Sequence, residues 1–312
     1  MEKHAKIYIA GHTGLFGTET LRQLNKLGYD NLLCKSHSEL DLTRQVDVED
    51  FFAQERPEYV FIMCGKVGGI QANKDYMAEF TMENLKMNAN IIEAAHKNSV
   101  KKMLYLGSSC MYPRESEQPV KEEYLLRGEF EPTNEGYALA KIVGLKACAY
   151  YKKEYGDNFI SCIPANVYGP RDNFDDKSNH VIPALLKRFH AAKENGAESV
   201  SIWGSGRAQR EFLYIGDAVS ACIHLMERYD EMEPVNIGTG VCTSIRELAE
   251  AVKHVTDYKG ELAFDTTKPD GMLLRRLDSE RIFSMGWQPK TSLEYGLRQT
   301  YQWYLDHKEE LQ

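Results

Sequence analysis

Short apolar runs alternate with longer stretches of helical period through the first half of the chain. KIYIAG leads into an amphipathic segment from about Leu15 to Leu27, and NLLCK and YVFIMCG follow. A long helix is predicted around Thr81 to Lys97, then KMLYLGSS, a helix from about Tyr137 to Glu154, and FISCIPAN. The short runs are apolar at successive positions rather than at every second one, so these strands are predicted to be buried on both faces. Such strands separated by helices predict an α/β fold, a Rossmann-type doubly wound parallel sheet whose ligands gather beyond the strand C-termini. After about Asn166 the alternation becomes irregular, which predicts a smaller, mixed C-terminal domain. EFLYIGDAVSACIHLMERY and NIGTG read as a return to the sheet. We therefore expect one domain from residues 1–168 plus about 212–240, and a second from about 169–211 and 241–312. The terminal SLEYGLRQTYQWYLDHKEEL has apolar and aromatic positions at helical spacing, as a core or subunit contact requires.

Composition narrows the class without naming a chemistry. At 312 residues, 43% apolar and 27% charged, the chain is long enough to bury more than one core. A net charge of −8 argues against a broad nucleic-acid surface but allows a local basic pocket for a phosphorylated small molecule. No apolar run reaches the roughly 18 residues of a membrane helix, and a cytoplasmic protein is expected. Seven cysteines, widely spaced and without a C-x-x-C pair, give no zinc or redox motif. Most are expected to be buried thiols. Cys110 differs, because it directly follows two serines at a predicted strand tip in LYLGSSCMYP.

The first strand runs into GHTGLFG, with Gly11, Gly14 and Gly17 followed at once by an amphipathic helix. Glycines permit a tight turn and close backbone approach to a pyrophosphate, and the helix points its positive end at the anion. Strand, glycine turn and helix in that order are the context a dinucleotide-binding motif needs. After the second strand an acid would accept the ribose hydroxyls of NAD, but CKSHSELD presents Lys35, Ser36 and His37 first. A basic group there suits a 2′-phosphate, so NADP(H) is the expected cofactor.

EPTNEGYALAKIVG carries Tyr137 and Lys141 four residues apart, one turn apart on one helix face. A tyrosine of pKa about 10 becomes a usable acid when a neighbouring ammonium stabilises its phenolate. Ser108, at the end of the fourth strand, can donate a second hydrogen bond to the same substrate oxygen. In the second half, GPRDNFDDKSNH reads as a polar loop before a helix with Lys187, Arg188 and His190. SIWGSGRAQREF and DTTKPDGMLLRRLD set arginines beside aromatic or turn residues, which suits a diphosphate and a purine.

On IAGHTGLFG, KVGGI, GSSCMYP, EPTNEGYALAK, NVYGPRDNF, SNHVIPALLKRFH, WGSGRAQREFLYIGD, NIGTG and KPDG, the chain resembles the GDP-L-fucose synthase family of extended short-chain dehydrogenase/reductases. The resemblance spans nearly the whole chain. It implies NADPH-dependent reduction at carbon 4 of a GDP-4-keto-6-deoxy sugar, with epimerisation at carbons 3 and 5, by a homodimer without nucleic-acid or membrane partners. It further implies that His12, Thr13, Leu15, Phe16, Leu106, Pro164, Asn166 and Val167 join the glycines, Lys35 and His37 around the cofactor. Cys110 and His180 fall on the family's base and acid of epimerisation, with His180 also beside the cofactor. Arg188 and Arg210 fall by the GDP phosphates, Trp203 by the nucleotide, and Asp270 and Arg275 at the substrate. The family carries arginines where this chain has Thr13 and His37, and MLLRRLD makes the edge from Met272 to Leu274 more apolar than usual. A reductase alone, acting on a hexose or a GDP-4-keto-6-deoxy-heptose, is therefore the second reading. A non-catalytic NADP-sensing module is the third.

Overall fold

The computed structural model describes residues 1–176, 178–268 and 270–311. Lys177 and Pro269, which fall in two of the stretches quoted above, and Gln312 lie outside the described residues. In chain order the first strands are β1 (Ile7–Ala10), β2 (Leu32–Leu33), β3 (Tyr59–Ile62), β4 (Lys102–Leu106), β5 (Phe159–Pro164) and β6 (Asn166–Tyr168). They are followed by β7 (Ser199–Trp203), β8 (Gln209–Arg210), β9 (Phe212–Tyr214), β10 (Val235–Ile237), β11 (Thr243–Ser244), β12 (Glu261–Asp265) and β13 (Leu274–Arg275). The helices are α1 (Leu15–Lys26), α2 (Gln45–Glu55), α3 (Ile70–Asp75), α4 (Met77–Lys97) and α5 (Glu135–Tyr155). Then come α6 (Val181–Glu194), α7 (Ile215–Arg228), α8 (Ile245–Thr256), α9 (Glu280–Ser284) and α10 (Leu293–His307).

Strands β10, β5, β4, β3, β1 and β2 form, in that spatial order, one parallel sheet. Every residue of β1, β3, β4 and β5 is buried, because α4 and α5 pack together as one helical layer while α1 packs on α7. That two-sided burial is the physical origin of the continuous apolar runs. The chain leaves β1 for β2 on one side and returns to β3 on the other, so a crevice opens where the strand order reverses. Two helices extend beyond their predicted limits: α4 starts at Met77 rather than about Thr81, and α5 spans Glu135–Tyr155. Gly156, at φ +78°, stops α5 in the left-handed conformation that glycine tolerates. The run NLLCK yields only the two-residue β2, since its polar flank turns away along Lys35 to Glu39.

A second core gathers Tyr168, Phe174, Leu186, Phe189, Ile202 and Val252 with residues of α10 such as Leu297 and Tyr301. Over it lie the parallel pair β7–β12 and the small sheet β11-β8-β13. Leu277, Ile282 and Trp287 return to the first core. The joint between the two cores is polar. Glu211, 1% exposed, accepts hydrogen bonds from the backbone of Leu277 (2.6 Å), Gly240 (2.8 Å) and Thr239 (3.0 Å), so its carboxylate is buried but satisfied.

Helix α5 approaches β4 unusually closely. A Cβ on Gly144 would stand 2.5 Å from the Tyr105 hydroxyl, and that hydroxyl is fixed by Asn88 Nδ2 (3.0 Å) and by its own bond to the Lys141 carbonyl (3.2 Å). Overpacking of this kind costs about 1–3 kcal/mol, whereas alanine in place of glycine in a helix gains at most about 1 kcal/mol. Gly144→Ala is therefore expected to destabilise the protein and lower its thermal midpoint by a few degrees. Scanning calorimetry of the two proteins checks the sign.

Candidate functional site

The glycine turn has no room for a side chain at Gly11 or Gly17. Gly11 has φ +83°, and a Cβ there would meet the Cys64 backbone at 2.7 Å; a Cβ on Gly17 would collide with the Gly11 carbonyl. Gly14 is exposed at the N-cap of α1, which has no side-chain cap and no acidic residue in its first turn. Free N–H groups facing an open cradle fit a pyrophosphate. Leu15 and Phe16 line the cleft beside Gly14. Thr13 is exposed, and His12 is half-buried with an Nδ1 that is shut from solvent and makes no hydrogen bond.

Beyond β2, the Lys35 ammonium lies 4.0 Å from Glu39, and the exposed His37 lies 4.0 Å from Asp41. Glu39, which sequence reasoning passed over, is held by the Ser36 N–H (2.8 Å) and hydroxyl (2.6 Å). These bonds hold its carboxyl below the ordinary range.

The crevice is a cleft of about 480 Å³ whose lining includes Gly14, Ser108, Tyr137, Lys141 and His180. Leu106, Pro164, Asn166 and Val167 complete its floor at the ends of β4, β5 and β6. The Lys141 ammonium, 3% exposed, donates to the Leu106 carbonyl at 2.9 Å and stands 6.0 Å from the centre of the Tyr137 ring. Burial pushes Lys141 down from its ordinary value, and the thiols of Cys64, Cys110 and Cys162 oppose that. Burial also raises the Tyr137 phenol, as does Cys110, while the Ser108 hydroxyl works the other way. In the absence of bound charge Tyr137 is thus a protonated phenol, the form a proton donor requires.

Ser108 caps a single 3₁₀ turn, Ser109–Met111, that follows β4. The turn places Cys110, half-buried, so that its thiol donates to the Ser108 hydroxyl at 3.0 Å. Burial raises the Cys110 thiol; Ser108, Lys141 and Arg275 pull it back down. Across the cleft, His180 occupies the N-cap of α6, and its Nδ1 is 3.7 Å from Asp172 Oδ1. The Asp172 carboxylate holds the imidazole above its ordinary value against the effect of burial. Neither Asp172 nor Arg171, which lines the same cleft, was singled out by sequence reasoning. The only signal was their place in a polar loop eight or nine residues before His180.

The residues expected at the nucleotide lie outside the walls of this cleft. Arg210 and Arg275 are register partners on β8 and β13. Arg210 donates to its neighbour's carbonyl, Gln209, at 2.8 Å, and both terminal nitrogens of Arg275 donate to the Pro113 carbonyl at 3.2 Å. Burial lowers both guanidinium values, and for Arg275 the charge of Arg210 adds to the effect. Two adjacent cations held in this way have the chemistry an anion requires. Arg188 is exposed and donates to the Ser201 carbonyl at 2.8 Å. Trp203 is 66% exposed, with Lys268 5.7 Å from its ring centre. Asp270 is engaged within the fold, accepting from Ser205 N–H (2.6 Å) and hydroxyl (2.7 Å), and it thereby fixes the turn after Trp203.

Among the described residues no helix is long and apolar enough to cross a membrane, and no group of three or more His, Cys, Asp or Glu could hold a metal ion. Comparison with known proteins gives full-length relatives. The chain is 52% identical over 304 residues to GDP-L-fucose synthase 1 of Arabidopsis thaliana, covering 97% of this chain and 94% of that protein. It is 46% identical over 313 residues to the GDP-L-fucose synthase of Escherichia coli, covering 97% and 98%. A solved GDP-D-glycero-L-gluco-heptose synthase from Campylobacter jejuni, crystallised in the presence of NADPH, superposes with a TM-score of 0.93 at 37% identity, covering 98% and 99%. Residues 7–238 match the NAD dependent epimerase/dehydratase family, and with the glycine turn, the Ser108–Tyr137–Lys141 wall and the doubly wound sheet in place, the chain belongs to that family.

Proposed function

We propose that this chain is an NADPH-dependent enzyme that epimerises a GDP-4-keto-6-deoxy sugar at carbons 3 and 5 and reduces carbon 4, giving GDP-L-fucose or a close relative. The observation that carries the reading is the Ser108 hydroxyl, which receives the Cys110 thiol at 3.0 Å on the cleft wall it shares with Tyr137. One carbonyl oxygen held by Ser108 and Tyr137 serves both reactions. When carbon 3 or 5 loses a proton, the electron pair left behind moves onto that oxygen; when carbon 4 is reduced, the same oxygen takes up a proton.

In this reading residues 1–168 and about 212–240 bind NADP(H), and about 169–211 and 241–312 hold the GDP-sugar. Gly11, His12, Thr13, Gly14, Leu15, Phe16 and Gly17 cradle the pyrophosphate side, and Lys35 and His37 face the 2′-phosphate. Leu106, Pro164, Asn166 and Val167 seat the nicotinamide side. Bound NADPH supplies the hydride for carbon 4. Tyr137 gives its proton to the carbonyl oxygen, with Lys141 favouring the phenolate left behind. Cys110, as thiolate, removes the proton beside the carbonyl, and His180, as imidazolium, returns one on the opposite face. Arg188 and Arg210 take the GDP phosphates, Trp203 packs by the nucleotide, Arg275 adds a basic contact beside Arg210, and Asp270 holds the turn at the substrate. A mechanism that runs through a free thiol suits a reducing cytoplasm.

The heptose synthase likeness, together with the exposed Leu273 in the apolar edge after Gly271, favours a second reading: reduction of a GDP-4-keto-6-deoxy-heptose without epimerisation. Incubation with NADPH and either sugar in heavy water separates the two. Deuterium at carbons 3 and 5 of the product is expected, and its absence during turnover leaves the reductase alone. Cys110→Ser is expected to lower label incorporation by about 10²–10⁴-fold with cofactor binding intact, the usual range for a general base. Equal incorporation by the variant would remove Cys110 from the mechanism.

A homodimer is part of the same proposal. Leu139, Val143 and Tyr150 recur at helical spacing on the outward face of α5, and Met82 is exposed on α4, which packs beside it. Such a paired apolar face fits a second copy of the chain. Val143→Glu is expected to halve the mass measured by sedimentation; a mass the same as that of the unaltered protein would place the contact elsewhere.

A further inference from the structure

We propose that Asp172 is a positioning residue for His180: its carboxylate orients the imidazole and supplies the counter-charge that keeps it a proton donor toward the sugar. The proposal rests on His180 being the acid of epimerisation, and it adds a residue to which no role has been assigned.

Three features of the loop after β6 converge on it. Arg171 has φ +70°, a backbone conformation uncommon for a non-glycine residue and one that persists only where the surroundings hold it. This turn is closed by the Asp172 N–H donating to the Gly169 carbonyl at 3.1 Å, and it carries the Asp172 side chain inward to 5% exposure. There, among the described residues, Oδ1 accepts the N–H of Asn173, at 2.8 Å, and no other hydrogen bond, while Oδ2 is shut from solvent with none. A buried carboxylate with so few donors needs a cation. Its one ion pair among the described residues is His180 Nδ1, at 3.7 Å.

The histidine needs the carboxylate in turn. At the N-cap of α6 it faces the positive end of a helix, which disfavours the imidazolium, and its partial burial acts in the same direction. The other charges around it give no help. Arg171 lines the cleft as a further cation, and Tyr137 and Lys141 face it from α5. Lys187 of α6 is paired with Asp176, and Lys66 of the facing loop with Glu79 and Glu83. Among the described residues Asp172 is the carboxylate paired with it, and His180 stays above its ordinary value. With Nδ1 paired to the carboxylate at 3.7 Å, Nε2 is the nitrogen left to exchange protons with a ligand in the cleft.

The test begins with the unliganded protein, so its first readout does not depend on any sugar. Nuclear magnetic resonance titration of the His180 ring, assigned by the loss of its signal in His180→Gln, is expected to give a midpoint above the ordinary value of about 6.5. In Asp172→Asn that midpoint is expected to fall by about one unit or more. A wild-type midpoint below the ordinary value, or no fall in the variant, would overturn the pairing. The first of these does not depend on Asp172→Asn folding. The second readout is the pH dependence of deuterium incorporation at carbons 3 and 5. The alkaline limb is expected to move to lower pH in Asp172→Asn. A limb that stays in place overturns the positioning role. A wild-type protein that shows the raised midpoint but no incorporation overturns instead the assignment of His180 as the acid of epimerisation.

Discussion

One hydrogen bond, from the Lys141 ammonium to the Leu106 carbonyl at 2.9 Å, sets the registration of helix and strand on which the site depends. It joins the inward face of α5 to the last residue of β4, so Tyr137, one turn earlier, is delivered to Ser108, two residues later. The bond is possible only because Gly144 lets α5 lie against Tyr105, and Asn88 and the Lys141 carbonyl tie that tyrosine's hydroxyl in place. Among the described residues no carboxylate pairs with this ammonium, and its burial lowers its proton affinity. Its charge is therefore directed at neighbouring phenol and thiol groups rather than neutralised.

The acidic balance of the chain and the basic character of its site are compatible because the cations are local. Arg210 and Arg275 sit side by side on β8 and β13, and Arg275 also grips the Pro113 carbonyl at the end of the loop that bears Cys110. The same guanidinium favours the Cys110 thiolate. The tethering of the Pro113 carbonyl and the acidity of the thiol thus share one side chain.

What could be read from the sequence was whatever depends on neighbours along the chain. Gly11, Gly14 and Gly17 were legible because the turn's geometry is local, and Tyr137 with Lys141 because helical spacing fixes their face. The doubly wound sheet was legible because strands buried on both sides must be apolar throughout. Cys110 and His180 were placed by resemblance, since nothing in their spacing brings positions seventy residues apart across a cleft. Asp172 was hidden because its significance lies in an oxygen left without a donor, which only the folded loop reveals. The grip of Ser36 on Glu39 was hidden for the same reason, as was the engagement of Asp270 with the turn after Trp203, where spacing suggests only a free carboxylate.

Glu211 has a consequence for motion. Its buried carboxylate gathers backbone donors from the loop after β10 and from Leu277, and it directly follows Arg210 in the chain. Parting the arginine-bearing edge from the main sheet would strand that charge in a dry interior. The edge that carries Arg210 is accordingly tied to the main sheet through the residue that follows it, and the cost of freeing that carboxylate resists any separation of the two.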